Sequence, residues 1–116
     1  MINIDWKKNN KIYIRNFSES FDLHNVVQLL LVKALRRKNR FDPIYTEFEY
    51  NGSYPDIFMK IKNDIYIFEI QEKITKKWKK EVIKKYEEVN LIIVPLSKFS
   101  TDSIKEIKEI LKDYII

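Results

Sequence analysis

The stretch "SYPDIFMKIKNDIYIFEIQEK", residues 53–73, decides how this chain is read. It holds two β-branched and aromatic runs, "DIFMKIK" (56–62) and "IYIFEIQ" (65–71), separated by Asn63-Asp64, a plausible tight turn. Such a hairpin predicts two neighbouring strands of a sheet, the second of them central. Asp56, Glu69 and Gln71 interrupt the apolar pattern. With Asn63-Asp64 as a two-residue turn, Lys62 faces Ile65, Phe58 faces Glu69 and Asp56 faces Gln71. Facing residues and residues two apart on one strand share a side of the sheet, so Asp56, Glu69 and Gln71 are expected on one face.

Upstream, "IYTEFEY" (44–50) alternates like a strand and ends at Asn51-Gly52, the strongest short hairpin signal. That turn sets Glu47 opposite Asp56 and Glu49 opposite Tyr54, which brings up to four carboxylates to one patch. Close carboxylates repel, and partial burial makes their ionisation costlier still. A divalent cation among them removes both penalties, and oxygen donors suit a hard ion such as Mg²⁺ or Mn²⁺. The alternative for Glu47 and Glu49 is pairing with nearby lysines at a solvated sheet edge.

The flanking segments read as helices and one further strand. "SESFDLHNVVQLLLVKALRRK" places apolar residues at 23, 26, 27, 30, 31, 34 and 35, a helical spacing that Ser18, Ser20 or Asp22 can cap. "ITKKWKKEVIKKYEEV" (74–89) predicts an amphipathic helix with Ile74, Trp78, Val82, Tyr86 and Val89 on one stripe. "LIIVPL" (91–96) has the continuous apolar character of a buried parallel strand. A last helix follows, with Ile104, Ile107, Ile110 and Leu111 inward, and "KIYIRNF" (11–17) reads as a peripheral strand. The expectation is one α/β domain over 1–116: an antiparallel meander plus a parallel strand after a helical crossover, flanked by helices.

Composition narrows the chemistry. The 116 residues include no cysteine and one histidine, which excludes disulfides, thiolate metal sites, cysteine nucleophiles and multi-histidine zinc sites. No run is apolar enough to span a membrane, and "MINIDWKKNN" lacks the apolar core of a signal peptide, so an intracellular protein is expected. The net charge of +5 is unevenly placed. "KALRRKNR" (33–40) carries five cations and no anion, and "KITKKWKKEVIKK" (73–85) carries seven cations against Glu81 alone. Clustered cations suit a polyphosphate partner, because neutralised phosphates release counterions. Lysine-rich helix faces exposed to solvent are the plainer alternative.

Pro55-Asp56, a spacer, then Glu69-Ile70-Gln71 resemble the motif of the PD-(D/E)xK nuclease superfamily, Pro-Asp followed by Asp/Glu-x-Lys. "PDIFMKIKNDIYIFEI" looks most like the archaeal Holliday-junction resolvases, over roughly residues 20–96. The resemblance implies a restriction-endonuclease-like fold and Mg²⁺-dependent (or Mn²⁺-dependent) hydrolysis of DNA phosphodiesters, with branched DNA as a substrate and a homodimer as the working unit. It implies that Asp56 and Glu69 ligate the metal and that Gln71 stands where the family has its lysine. Gln71 would orient water, with Lys73 or a lysine of the following helix supplying positive charge. From the Asn51-Gly52 register, and not from the resemblance, Glu47 is a further candidate metal ligand. Some members also place a histidine from the first helix on the metal, which makes His24 a candidate ligand, with Glu19 the alternative. Lys76, Lys77, Lys80, Lys84, Arg36 and Arg37 are the expected DNA-backbone contacts. Because Gln71 replaces a cation, the second expectation is a nuclease-fold protein that binds nucleic acid without cutting it.

Overall fold

The computed structural model describes residues 19–101 and 103–116. The expected strand at 11–17 lies outside them. The elements run α1 (Glu19–Lys38), β1 (Ile44–Tyr45), β2 (Ile57–Ile61), β3 (Asp64–Gln71), α2 (Lys76–Lys85), β4 (Asn90–Pro95) and α3 (Ile104–Leu111). Short 3₁₀ turns follow β4 at Leu96–Phe99 and α3 at Lys112–Tyr114. The four strands lie in the order β1-β2-β3-β4, antiparallel except for the parallel β3–β4 pair. This is the α/β architecture the sequence predicts, with the crossover helix α2 joining the two parallel strands.

Strand alternation divides the apolar residues between two cores. Ile57, Met59, Phe68, Ile70 and Val94 point to one side and pack with Val27, Leu31 and Leu35 of α1 and Ile107 and Leu111 of α3. Phe58 and Ile67 point to the other side and pack with Val82 and Tyr86 of α2. The fold is therefore layered, with α1 and α3 on one face of the sheet and α2 on the other.

Helix ends follow local chemistry. Thr75 caps α2 by accepting from the Trp78 amide at 3.1 Å, so the helix starts two residues after Ile74, which is left exposed. It ends at Lys85, before the expected 89, as the chain turns over 86–89 with the Val89 amide donating to the Tyr86 carbonyl. Ser103 caps α3 by accepting from the Glu106 amide, and Glu106 reaches back to the Thr101 hydroxyl at 2.6 Å. Ser20 and Asp22 lie inside α1, which begins at Glu19.

Two expectations about register need correction. The β2–β3 turn is Lys62-Asn63, with Lys62 in the left-handed region at φ 55° and Asp64 drawn into the ladder opposite Ile61. Moving a two-residue turn by one residue changes every facing partner by two positions, so each side chain keeps its face. Phe58 faces Ile67, and one step beyond the last pair, Ile57 with Phe68, Asp56 comes level with Glu69 and not Gln71.

The second correction concerns 44–50, of which only Ile44–Tyr45 forms a strand. Its pairs, Ile44 with Met59 and Tyr45 with Phe58, are those the Asn51-Gly52 turn implies, and that turn closes with mutual Tyr50–Ser53 amide–carbonyl bonds of 2.7 and 3.0 Å. Between them the ladder opens because Phe48 stacks on Phe58, centroids 4.0 Å apart and planes 13° apart. Tyr45 already sits over Phe58, and residues three apart cannot share a face of a regular strand. Glu47 and Glu49 are consequently exposed and outside the ladder, and Glu47 is not registered opposite Asp56.

Candidate acidic site

The site is built where β2 begins and β3 nears its end. Beyond the last β2–β3 pair, the Ile70 amide donates to Asp56 Oδ2 at 2.7 Å, so the Asp56 carboxylate takes the place of a strand partner. Helix α1 grips the same residue twice. His24 Nε2 lies 3.1 Å from Asp56 Oδ1, and Gln28 Nε2 donates to the Asp56 carbonyl at 2.7 Å. His24 and Gln28 are four apart and so face one way along the helix. The side chains of His24 and Asp56 are only about a fifth exposed.

Glu69 approaches from β3, on the α2 side of the sheet. Tyr86, itself buried, donates its hydroxyl to Glu69 Oε1 at 3.1 Å. Burial and the neighbouring Asp56 charge push the Glu69 carboxyl up to about 7, against the opposing pull of the Tyr86 hydroxyl and the Lys85 charge. The hydrogen bond that His24 donates to Asp56 raises its imidazole, overcoming the effect of its burial. Burial and the Glu69 charge push the Tyr86 phenol upward as well.

The remaining candidates fall at graded distances from this pair. Gln71 is half-buried, and its amide donates to the Lys73 carbonyl at 3.2 Å, while Lys73 is exposed in the loop before α2. Lys76, Lys77, Lys80 and Lys84 are exposed, on the side of α2 opposite the Val82–Tyr86 stripe. The lysine whose charge acts on Glu69 is Lys85, whose ammonium also lies 5.5 Å from the Tyr86 ring centre. Arg36 bonds the carbonyls of Arg40 and Asp42 at 3.1 and 2.7 Å, which ties down the chain after α1. Arg36 and Arg37 lie about 20 Å along α1 from His24, at a rise of ~1.5 Å per residue.

Sequence reasoning did not select Tyr86, Lys85 or Gln28 for the site. Gln28 had a visible signal: it is the polar interruption of an apolar run, one helical turn after His24. Tyr86 was placed only on the apolar stripe of its helix, and nothing in that pattern says where its hydroxyl goes.

Among the described residues, no group of three or more His, Asp or Glu side chains is arranged to hold a metal ion. His24 meets Asp56 directly, and Glu47 does not join the pair through the sheet. The two-carboxylate pair Asp56–Glu69 does fit a hard divalent cation, because Mg²⁺ is commonly held by one or two carboxylates with water completing its shell. The raised Glu69 carboxyl reflects burial first and the Asp56 charge second.

No family model, curated protein or solved structure matches the chain. No helix among the described residues is long and apolar enough to cross a membrane.

Proposed function

We propose that this chain is a divalent-metal-dependent nuclease that hydrolyses DNA phosphodiesters, with Asp56 and Glu69 as its metal-holding pair. One observation carries the reading: Asp56, at the start of β2, comes level with Glu69 of β3, and burial together with the Asp56 charge pushes the Glu69 carboxyl up to about 7. A purely structural hairpin gains nothing from that repulsion. The resemblance of Pro55-Asp56 and Glu69-Ile70-Gln71 to the PD-(D/E)xK pattern supports the same reading.

Asp56 and Glu69 would hold Mg²⁺ or Mn²⁺, which when bound polarises a phosphoryl oxygen and supplies an activated water. His24 and the Ile70 amide fix the Asp56 carboxylate, and Tyr86 fixes Glu69, so neither acid swings freely. Lys85 supplies the nearest positive field on the Glu69 side. The outward lysines of α2 would collect phosphates of the flanking strand without reading sequence.

A second reading is a nuclease-fold protein that binds nucleic acid without cutting it. It is favoured by Gln71, which carries no charge and donates its amide to the Lys73 carbonyl. Cleavage assays with added metal separate the two. A nuclease loses product in EDTA and in the Asp56→Asn variant, whereas a binder yields no product and retains affinity in both.

A further inference from the structure

Four cations crowd a groove on the α1–α3 side of the sheet, beyond the end of α1 that holds His24. It runs between α1 and α3, has a volume of about 270 Å³, and its floor is Leu30, Ala34, Leu111 and Ile115. Lys33 and Arg37 of α1 form one rim, and Lys108 and Lys112, beside the end of α3, form the other. Among the described residues no carboxylate lines it, and Glu109, exposed, pairs with Lys112 at 2.9 Å. Lys33 and Arg37 also border an adjoining hollow with Arg36 and Arg40, so the basic surface continues past the end of α1.

We propose that this groove is a docking site for an acidic protein segment that carries an apolar anchor residue. The charge of the rim selects an acidic partner, and charge complementarity of this kind governs which partners associate and how fast. The floor selects a protein over a nucleic acid. A duplex backbone offers phosphates to the rim but has no apolar group to cover Leu30, Ala34 and Ile115. The groove is smaller than the roughly 300–1,000 Å³ pockets that enclose drug-sized molecules, a size that suits one or two side chains. An apolar residue presented from a helix or turn, flanked by Asp or Glu, meets both demands. The chain's own first eighteen residues do not: they carry Lys7, Lys8, Lys11 and Arg15 against Asp5.

The two basic surfaces of the molecule thereby divide their work. The outward lysines of α2 lie on one side of the sheet and the α1–α3 groove on the other, so one straight duplex cannot engage both. The docking proposal does not depend on the nuclease reading, and its test involves no cleavage.

The test is fluorescence anisotropy of the full chain with a labelled acidic peptide bearing two leucines one helical turn apart. A matched peptide with serine at both positions and an unlabelled DNA duplex serve as competitors. The expected result is saturable binding that weakens about tenfold or more for Lys33→Glu/Arg37→Glu and, independently, for Lys108→Glu/Lys112→Glu. Lys76→Glu/Lys80→Glu should bind as the wild type does, and the serine peptide should compete at least about tenfold less well. All six positions are exposed, so unfolding midpoints should be retained. Three results would overturn the proposal: no saturable binding, equal competition by the serine peptide, or rim variants that lose duplex affinity while keeping the peptide's.

Discussion

Tyr86 and Glu69, seventeen residues apart in the chain, meet through a 3.1 Å hydrogen bond from the phenol to Oε1. The ring of Tyr86 belongs to the smaller core with Phe58, Ile67 and Val82, while its hydroxyl belongs to the acidic pair. One side chain thus connects the packing under α2 to the protonation of Glu69.

Tyr86→Phe separates those roles. The ring stays, so the fold should survive with a loss of about 1–2 kcal/mol for the missing hydrogen bond. The hydroxyl holds Glu69 down, so its removal should move the Glu69 titration above the value of about 7 in the native chain. Carboxyl-detected NMR titration of the two proteins measures this, and superimposed Glu69 curves would contradict it.

The acidic pair also sets how stability responds to pH. Glu69 is raised from 4.5 to about 7 on folding, so between those values the native state binds the extra proton. Stability must then fall as pH rises, by up to ~1.4 kcal/mol per pH unit in that window from this group. His24 is also raised, so its contribution is fully present below 6.5 and is lost as pH rises through its higher folded value. Both groups act in one direction. Without added metal, thermal unfolding followed from pH 5 to 8 should show a declining midpoint, and Glu69→Gln should flatten the slope. A wild-type midpoint that climbs over this range would contradict the assignment.

Most of the architecture was legible because strand and helix periodicities were undisturbed in the longest segments. The β3 run "IYIFEIQ" reads as a central strand and is one, and "LIIVPL" pairs parallel to it as its continuous apolar character implied. The common face of Asp56 and Glu69 was legible too, because an error of one residue in the turn leaves side-chain parity untouched. Contacts that cross between elements were not legible. The opening of the ladder over 46–49 depends on Phe48 stacking against Phe58, a tertiary contact that overrides a local strand pattern. The grip of His24 and Gln28 on residue 56 depends on how α1 lies against the sheet, which no local spacing records.

Asp56 carries a structural load as well as the proposed chemistry. Asp56→Ala removes the acceptor for the Ile70 amide and the partner of His24, and should cost about 1–3 kcal/mol in denaturant unfolding. Burial is the larger cause of the raised Glu69 carboxyl and the Asp56 charge the second, so losing that charge should lower the Glu69 titration part of the way toward the ordinary carboxylate range. An unchanged unfolding midpoint would show that these contacts contribute nothing to the fold.

The layered core makes a simpler prediction. Leu31 is fully buried between α1 and the sheet, and Leu31→Ala should destabilise by about 2–5 kcal/mol. Phe41 is 91% exposed, and Phe41→Ala should stay within about 0.5 kcal/mol. Urea denaturation of the two variants checks the contrast, and equal losses would mean that Leu31 is not part of the main core.

The most direct test of the central claim is a cleavage assay on linear duplex, single-stranded and four-way-junction DNA, with Mg²⁺, with Mn²⁺ and with EDTA. Wild type is compared in it with the folded variants Asp56→Asn and Glu69→Gln. The account predicts metal-dependent products on at least one substrate, abolished by EDTA and reduced at least about a hundredfold by either substitution. No metal-dependent product from the folded wild-type chain on any substrate, or undiminished cleavage by both variants, would contradict it.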